Sequence, residues 1–133
     1  MLHVSGLHAG YGSIPVLYGI SLDIREGESV GILGHNGMGK TTLFKALIGI
    51  LPIRSGSVSI DGQDITKDES YQRVAKGIAY VPQGRMIFPT LTVLENIETG
   101  LENAKVKTVP EEIYALFPVL FDMRARKGGN LSG

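Results

Sequence analysis

The sequence predicts an α/β fold in which antiparallel strands come first, a strand–loop–helix unit follows, and helices end the chain. Apolar side chains alternate with polar or small ones over residues 18–24, a pattern typical of a strand with one buried face. Residues 29–33 form a short apolar run, as expected of a buried parallel strand. Residues 41–48 have apolar side chains at helical spacing, and Gly49 and Pro52 predict the end of that helix.

Shorter patterns predict further elements on both sides of this unit. Residues 2–4 indicate a first strand, and residues 57–65 a hairpin that turns at Asp61-Gly62. A short helix is expected at 71–75, and the apolar run 78–81 predicts another strand.

Two helices are predicted in the last third of the chain. Thr92 and Glu95 match the capping box, in which each side chain bonds to the backbone N–H of the other residue. Pro110 suits the start of the second helix, with Glu111 and Glu112 in its first turn. Pro118 should kink or split that helix.

The composition is that of a soluble globular protein, forming one compact domain or part of one. The 133 residues are 43% hydrophobic and 20% charged, with a formal net charge of zero. A neutral chain gives no electrostatic reason to expect nucleic acid or an anionic membrane as a partner. The absence of cysteine excludes disulfides and thiolate sites, and neither a signal peptide nor a membrane-spanning run is recognisable.

The strongest motif is Gly34-His35-Asn36-Gly37-Met38-Gly39-Lys40-Thr41, which matches the phosphate-binding loop. In such a loop, backbone N–H groups converge on an anion at the positive end of the following helix. Glycine at 34, 37 and 39 permits positive φ angles and a close approach of the main chain to phosphate. The residues therefore predict a site for the phosphates of a nucleotide.

Three side chains at the start of the predicted helix have distinct expected roles. Lys40 supplies a mobile cation for the β- and γ-phosphates, the Thr41 hydroxyl is placed to ligate Mg²⁺, and Thr42 could donate to the α-phosphate. We include Asn36 of the loop in the predicted site. The alternative is a glycine-rich turn between a strand and a helix, with a solvated lysine.

Four landmarks, in this order, resemble the nucleotide-binding subunit of ATP-binding cassette (ABC) transporters. They are Tyr11 in Ala9-Gly10-Tyr11-Gly12, the phosphate-binding loop, Gln83 in Tyr80-Val81-Pro82-Gln83, and the segment Asn130-Leu131-Ser132-Gly133. The last segment matches the opening of the family signature, and the resemblance spans the whole chain. It implies a P-loop NTPase of the ABC ATPase type, with an antiparallel β subdomain and a partial α/β core. We expect these in residues 1–90, with an incomplete sheet, and the start of an α-helical subdomain in residues 91–133.

The resemblance implies roles for four further residues, with ATP and Mg²⁺ as cofactors. The aromatic at Tyr11 stacks on adenine, and the Gln83 amide ligates Mg²⁺ and positions the attacking water. The Ser132 hydroxyl and the Gly133 backbone meet the γ-phosphate held by a second subunit. Tyr11 could instead be an ordinary turn residue, Gln83 a surface amide, and Ser132 a helix cap.

A narrower resemblance is to importers of branched-chain amino acids and their relatives for urea. Residues 84–93, Glu95-Asn96 and Leu116-Phe117-Pro118 carry it. It implies an ATPase that couples ATP binding and hydrolysis to the uptake of a small polar solute, peripheral to the cytoplasmic face of the membrane. Its partners would be transmembrane permease subunits, a second ATP-binding subunit (identical or different) and, indirectly, a periplasmic or extracellular solute-binding protein, with no nucleic acid.

The residues that complete hydrolysis in this family are not found in the chain. Phosphoryl transfer needs a metal-holding aspartate and a group that polarises water, and the family uses an acidic pair and a switch histidine. Asp122 follows apolar residues but precedes Met123 within a helical pattern, so it does not form such a pair. We therefore expect an amino-terminal half of a longer subunit, inactive in hydrolysis alone. Two alternatives are a nucleotide-binding module without turnover and an ABC ATPase outside transport, such as a translation or DNA-repair factor.

Overall fold

A computed structural model of the chain describes residues 1–84, 86–102, 104 and 106–131. They fall into two compact units, Met1–Tyr80 and Val81–Gly133. Among the described residues, no helix is both long enough and apolar enough to cross a lipid bilayer.

The first unit contains a four-stranded antiparallel sheet in the order β2-β1-β3-β4. The strands are β1 (Leu2–Tyr11), β2 (Ile14–Ile24), β3 (Ile53–Ile60) and β4 (Gln63–Asp64). In the central strand, Val4 lies opposite Leu22 of β2 and Val58 of β3. The predicted strand at 18–24 and the hairpin at 57–65 are confirmed, and the first strand is longer than predicted.

Two helices accompany this sheet, α1 (Lys40–Leu47) and α2 (Ser70–Ala75). Both confirm the helices predicted at 41–48 and 71–75, apart from small differences at their ends. Leu43, Ala46 and Leu47 of α1 are buried and belong to the core cluster that lies on the sheet. The largest fully buried side chains of this core are Val4, Leu7, Val58 and Ile65. Burying each such side chain contributes about 1.5–3 kcal/mol. The buried leucines of α1 hold the helix on the sheet by the same effect.

The predicted strands at 29–33 and 78–81 are wrong, because both segments are irregular in the structure. The Leu33 side chain is 95% exposed and that of Val81 is 91% exposed. A parallel strand is stable only when neighbours pair with its backbone and cover its two faces. Within the described residues, the sheet contains no strand paired with either segment, so their apolar runs alone do not make them strands.

The second unit contains α3 (Val93–Thr99), α4 (Glu111–Leu116), α5 (Pro118–Asp122) and a 3₁₀ turn at Gly128–Asn130. The predicted capping box is present, because Thr92 N donates to Glu95 Oε2 at 2.7 Å and Glu95 N donates to Thr92 Oγ1 at 3.2 Å. The bonds from the backbone and the hydroxyl of Thr92 lower the pKa of Glu95. Pro118 begins α5, so it splits the predicted second helix as expected.

We expect the same substitution to have opposite consequences at two leucines of the first unit. Leu7→Ala should lower the free energy of unfolding by about 2–5 kcal/mol, because it leaves a cavity in the core. Leu33→Ala should change it by less than about 0.5 kcal/mol, because that side chain lies in solvent. Urea unfolding of both variants measures the difference, and an equal cost at Leu33 would show that residues 29–33 are packed as a strand.

Candidate functional site

The glycine loop bends sharply and leads directly into the first turn of α1. Met38 N donates to His35 O at 3.3 Å, which closes a turn in the middle of the loop. Gly37 and Gly39 have φ angles of 84° and 90°, in the left-handed region that favours glycine. Gly39 is the N-cap of α1, and Leu43 N donates to its carbonyl at 2.8 Å. The curled main chain predicted for the phosphate loop is therefore present.

Gly39 has a second reason to be glycine, which is its close contact with β2. A Cβ at this position would lie 3.0 Å from Leu17 Cδ2 and 3.2 Å from Val16 Cγ1. The end of the loop is thus pressed against the sheet. This contact fixes the N-terminal end of α1 relative to β2.

Lys40 folds back over the loop that precedes it. Its ammonium donates to His35 O at 2.8 Å and also to Gly34 O. The cation is therefore held inside the curl of the chain. A lysine ammonium has three N–H donors, so these two contacts use part of its capacity.

The two threonines after Lys40 differ in accessibility. Thr41 is exposed, whereas Thr42 is buried, with 6% of its surface accessible. The Thr41 hydroxyl is the more accessible of the two for a metal ion. The role predicted for Thr42 toward the α-phosphate stays a prediction.

The donor groups around the loop fit a nucleotide phosphate with Mg²⁺. The first N–H groups of an α-helix have no acceptor within the helix, and the helix dipole places positive charge there. In α1 these groups are joined by the Lys40 ammonium, which is cationic, and by the Thr41 hydroxyl, a hard oxygen of the kind that Mg²⁺ prefers. The close approach at Gly39 leaves no room for a larger residue between the loop and β2.

Tyr11 lies at the end of β1 and against α1, the helix that begins at the loop. The Lys45 Nζ atom is 5.8 Å from the centre of the Tyr11 ring, which is within the range of a cation–π contact. The ring remains 44% exposed. The structure therefore places the predicted aromatic beside Lys45 of α1, the helix that begins at the glycine loop.

The other predicted site residues are placed differently. Gln83 is exposed and belongs to the second unit, whereas Tyr11 and the glycine loop belong to the first. Ser132 and Gly133 lie outside the described residues. The roles predicted for these three residues stay predictions.

Sequence analysis missed Lys45 and Arg73. Lys45, in α1, contacts the Tyr11 ring, and Arg73 bonds to the C-terminal end of α1. A lysine on a helix is usually solvated, so nothing in the sequence pointed to the Tyr11 ring. Arg73 donates to the main-chain carbonyls of Ala46 and Leu47. Every residue has a main-chain carbonyl, so no sequence pattern could have predicted which of them Arg73 contacts.

The sequence profile described as "ABC transporter" matches residues 17–133. This chain belongs to the ABC transporter family. The probable branched-chain amino acid transport ATP-binding protein LivF of Archaeoglobus fulgidus is 35% identical over 136 residues, covering 100% of the chain and 58% of that protein. The lipopolysaccharide export system ATP-binding protein LptB of Haemophilus influenzae is 40% identical over 105 residues, covering 79% of the chain and 44% of that protein. The chain thus spans about half the length of the curated relatives it matches.

Solved structures of ATP-binding cassettes have the same fold. A dimeric bacterial ABC transporter cassette matches with a TM-score of 0.81 and 27% identity, covering 100% of this chain and 64% of that one. A dimeric cassette in a post-hydrolysis state, bound to ADP and Pi, matches with a TM-score of 0.79 and 26% identity, covering 99% and 63%. The predicted fold class, a P-loop NTPase of the ABC ATPase type, is confirmed.

We expect Gly39→Ala to disturb the loop, and Gly31→Ala to serve as its matched control. The added Cβ at residue 39 meets β2 and forces alanine into positive φ, which should cost about 1–3 kcal/mol of unfolding free energy. The φ of Gly31 lies outside the left-handed region, and a Cβ there would meet no atom within 4 Å. Thermal and urea unfolding compare the two variants. Equal stabilities would contradict the tight packing of the loop on β2.

Proposed function

We propose that this chain is the nucleotide-binding part of the ATP-binding subunit of an ABC importer, and that it binds ATP with Mg²⁺. The observation that carries the proposal is the Lys40 ammonium held inside the curled loop at the N-terminus of α1. In this proposal, residues 1–90 form the nucleotide-binding core with its antiparallel β subdomain, and residues 91–133 a partial α-helical subdomain.

The contacts of Lys40 explain how the loop accepts phosphate. The ammonium exchanges its carbonyl partners, Gly34 O and His35 O, for the β- and γ-phosphate oxygens. The phosphate oxygens carry negative charge, so they attract the ammonium more strongly than the neutral carbonyl oxygens do, and the exchange is favourable. Thr41 would hold Mg²⁺, which would offset phosphate charge, and the N–H groups of residues 34, 36, 37 and 39 to 42 would donate to the phosphates.

Tyr11 supplies the contact with the base in this proposal. Its exposed ring lies beside α1, and stacking on an aromatic ring contributes about 1–3 kcal/mol per base. The phosphate contacts and the stacking contact lie on the same unit of the chain, which supports a single nucleotide site.

Hydrolysis belongs, in this proposal, to the complete subunit paired with a second one. Gln83 would ligate Mg²⁺ and orient the attacking water, while Ser132 and Gly133 would face the γ-phosphate held by the partner. The dimeric cassette bound to ADP and Pi, similar over 99% of this chain, supports both pairing and turnover. The complete subunit would be an ATPase at the cytoplasmic face of the membrane, where it contacts transmembrane permease subunits.

Branched-chain amino acids, or a related small polar solute, are the cargo that we favour. LivF of Archaeoglobus fulgidus and BraG of Pseudomonas aeruginosa, named as branched-chain amino acid transport ATP-binding proteins, are 35% and 33% identical over 100% of the chain. LptB and the ribose import ATP-binding protein RbsA of Oceanobacillus iheyensis are also similar, at 40% and 33% identity. The stretches that carry the importer resemblance, residues 84–93 and Glu95-Asn96, are not expected to touch solute.

Removing the loop cation should abolish most nucleotide binding. Lys40→Ala should weaken MgATP binding by about a hundredfold, because it removes a charge-assisted contact to the phosphates. Lys107→Ala, at an exposed lysine of the second unit, is the matched control and should leave the affinity unchanged. Isothermal titration calorimetry measures both dissociation constants. Unchanged affinity in Lys40→Ala would rule out the assigned phosphate contact.

Deleting the gene that encodes this chain tests the cargo. Uptake of radiolabelled leucine should fall, while uptake of ribose should not, because each importer has its own permease and binding protein. The wild-type gene should restore leucine uptake, and the same gene carrying Lys40→Ala should not. Normal leucine uptake in the deletion strain would exclude branched-chain amino acids as the cargo without affecting the ATP-binding assignment.

A further inference from the structure

Arg73, in α2, is a buried arginine bonded to four main-chain carbonyls. Its Nη1 atom donates to Ala46 O and to Leu47 O, both at 2.8 Å. Nη2 donates to Thr66 O at 2.9 Å, and Nε donates to Asp68 O at 3.0 Å. These contacts use four of the five N–H donors of the guanidinium, and only 2% of the residue is exposed.

Two of these carbonyls are the C-terminal end of α1. The last carbonyls of a helix have no donor within the helix, and the helix dipole makes this end negative. Arg73 satisfies both needs, because it supplies donors and a positive charge. Burial lowers the pKa of Arg73, but an arginine guanidinium remains protonated in proteins, so the cation persists.

The contact is also closely packed. A Cβ at Gly49, just after α1, would lie 3.0 Å from Arg73 Nε and 3.2 Å from Asp68 O. Gly49 has a φ of 82°, so the chain turns away from the helix at this point. Arg73 therefore joins the end of α1 to the segment that follows the β3–β4 hairpin.

We propose that Arg73 is a positioning residue for the phosphate site at the opposite end of α1, an inference that rests on the proposed function. With eight residues, α1 is a rod about 12 Å long. Gly39 seats its first turn on β2, and Arg73 holds its last turn. With both ends fixed, the N–H groups of the first turn, the Lys40 ammonium and the Thr41 hydroxyl are held where phosphate and Mg²⁺ bind.

The same residue connects α1 with the segment that leads toward Gln83. The main-chain carbonyl of Arg73 accepts from Ile78 N at 3.1 Å, while its side chain donates to the end of α1. A displacement of α2 would therefore also move α1 and the chain around Ile78, because both are bonded to Arg73. An apolar side chain would be enough to fill the space that Arg73 occupies. The bonds of Arg73 to several segments instead favour a role in positioning the site.

The test compares ATP with adenosine, which lacks the phosphates. Arg73→Lys keeps the charge but loses the forked geometry, and Arg73→Gln also loses the charge. We expect Arg73→Lys to bind MgATP about tenfold more weakly than the wild type, and Arg73→Gln more weakly still, because misplaced groups lose their contacts steeply. Adenosine binding, followed by NMR titration, should stay within about twofold, because it depends on stacking with Tyr11. Arg25→Lys, at an exposed arginine after β2, is the matched control and should behave as the wild type.

Each other outcome overturns the inference. Equal losses for ATP and adenosine, or failure of both Arg73 variants to fold in thermal melts, would show that Arg73 supports the unit as a whole. Unchanged ATP affinity in folded Arg73→Gln would show that the site is placed without it. If the wild-type chain does not bind MgATP, the proposed function itself is refuted. This result is distinguishable from the others because it is measured on the protein without any substitution.

Discussion

The geometry of the candidate site depends on how one short helix is fixed at its two ends. At the N-terminus of α1, Gly39 packs directly on the side chains of Leu17 and Val16, and its lack of a side chain lets the loop backbone lie close to them. At the C-terminus, the guanidinium of Arg73 bonds to the last carbonyls. Between them, the buried face of α1 lies on the core of the sheet. An eight-residue helix is too short to be stable alone in water, so tertiary contacts must define its position.

This dependence explains how the glycine loop keeps its shape although residues 29–33 are irregular. A strand normally leads into a phosphate-binding loop, but here the segment is irregular and mostly exposed. The loop keeps its turn through local backbone bonds and through the contact of Gly39 with β2. The conformation of the glycine loop is therefore supported from the side of the antiparallel sheet.

The sequence was sufficient for elements whose signals are local. The glycine loop, the capping box at Thr92 and the break at Pro118 each rest on residues a few positions apart, and the structure confirms all three. It was insufficient for residues 29–33 and 78–81, because apolar character shows what a segment prefers but not whether a neighbouring strand is present to pair with it.

Contacts to the main chain form a second class that sequence patterns cannot reveal. The acceptors of Arg73 are main-chain carbonyls of residues that are apolar, polar and acidic. Their side chains share no property from which the contact with arginine could be predicted. The Tyr11–Lys45 contact was hidden for another reason, because it joins the end of a strand to a helix 34 positions later in the sequence. Sequence analysis thus predicted groups that would contact a ligand, but it did not predict the groups that hold α1 in place.

The lengths of the connections between the strands also have a consequence for the order in which the chain acquires structure. β1 and β2 are adjacent in sequence and joined by a tight turn, so closing that hairpin restricts few residues. Pairing β3 with the other edge of β1 closes the much longer loop from Ile24 to Ile53, which costs more entropy. The hairpin should therefore form first and act as the template, with the glycine loop among the segments ordered later.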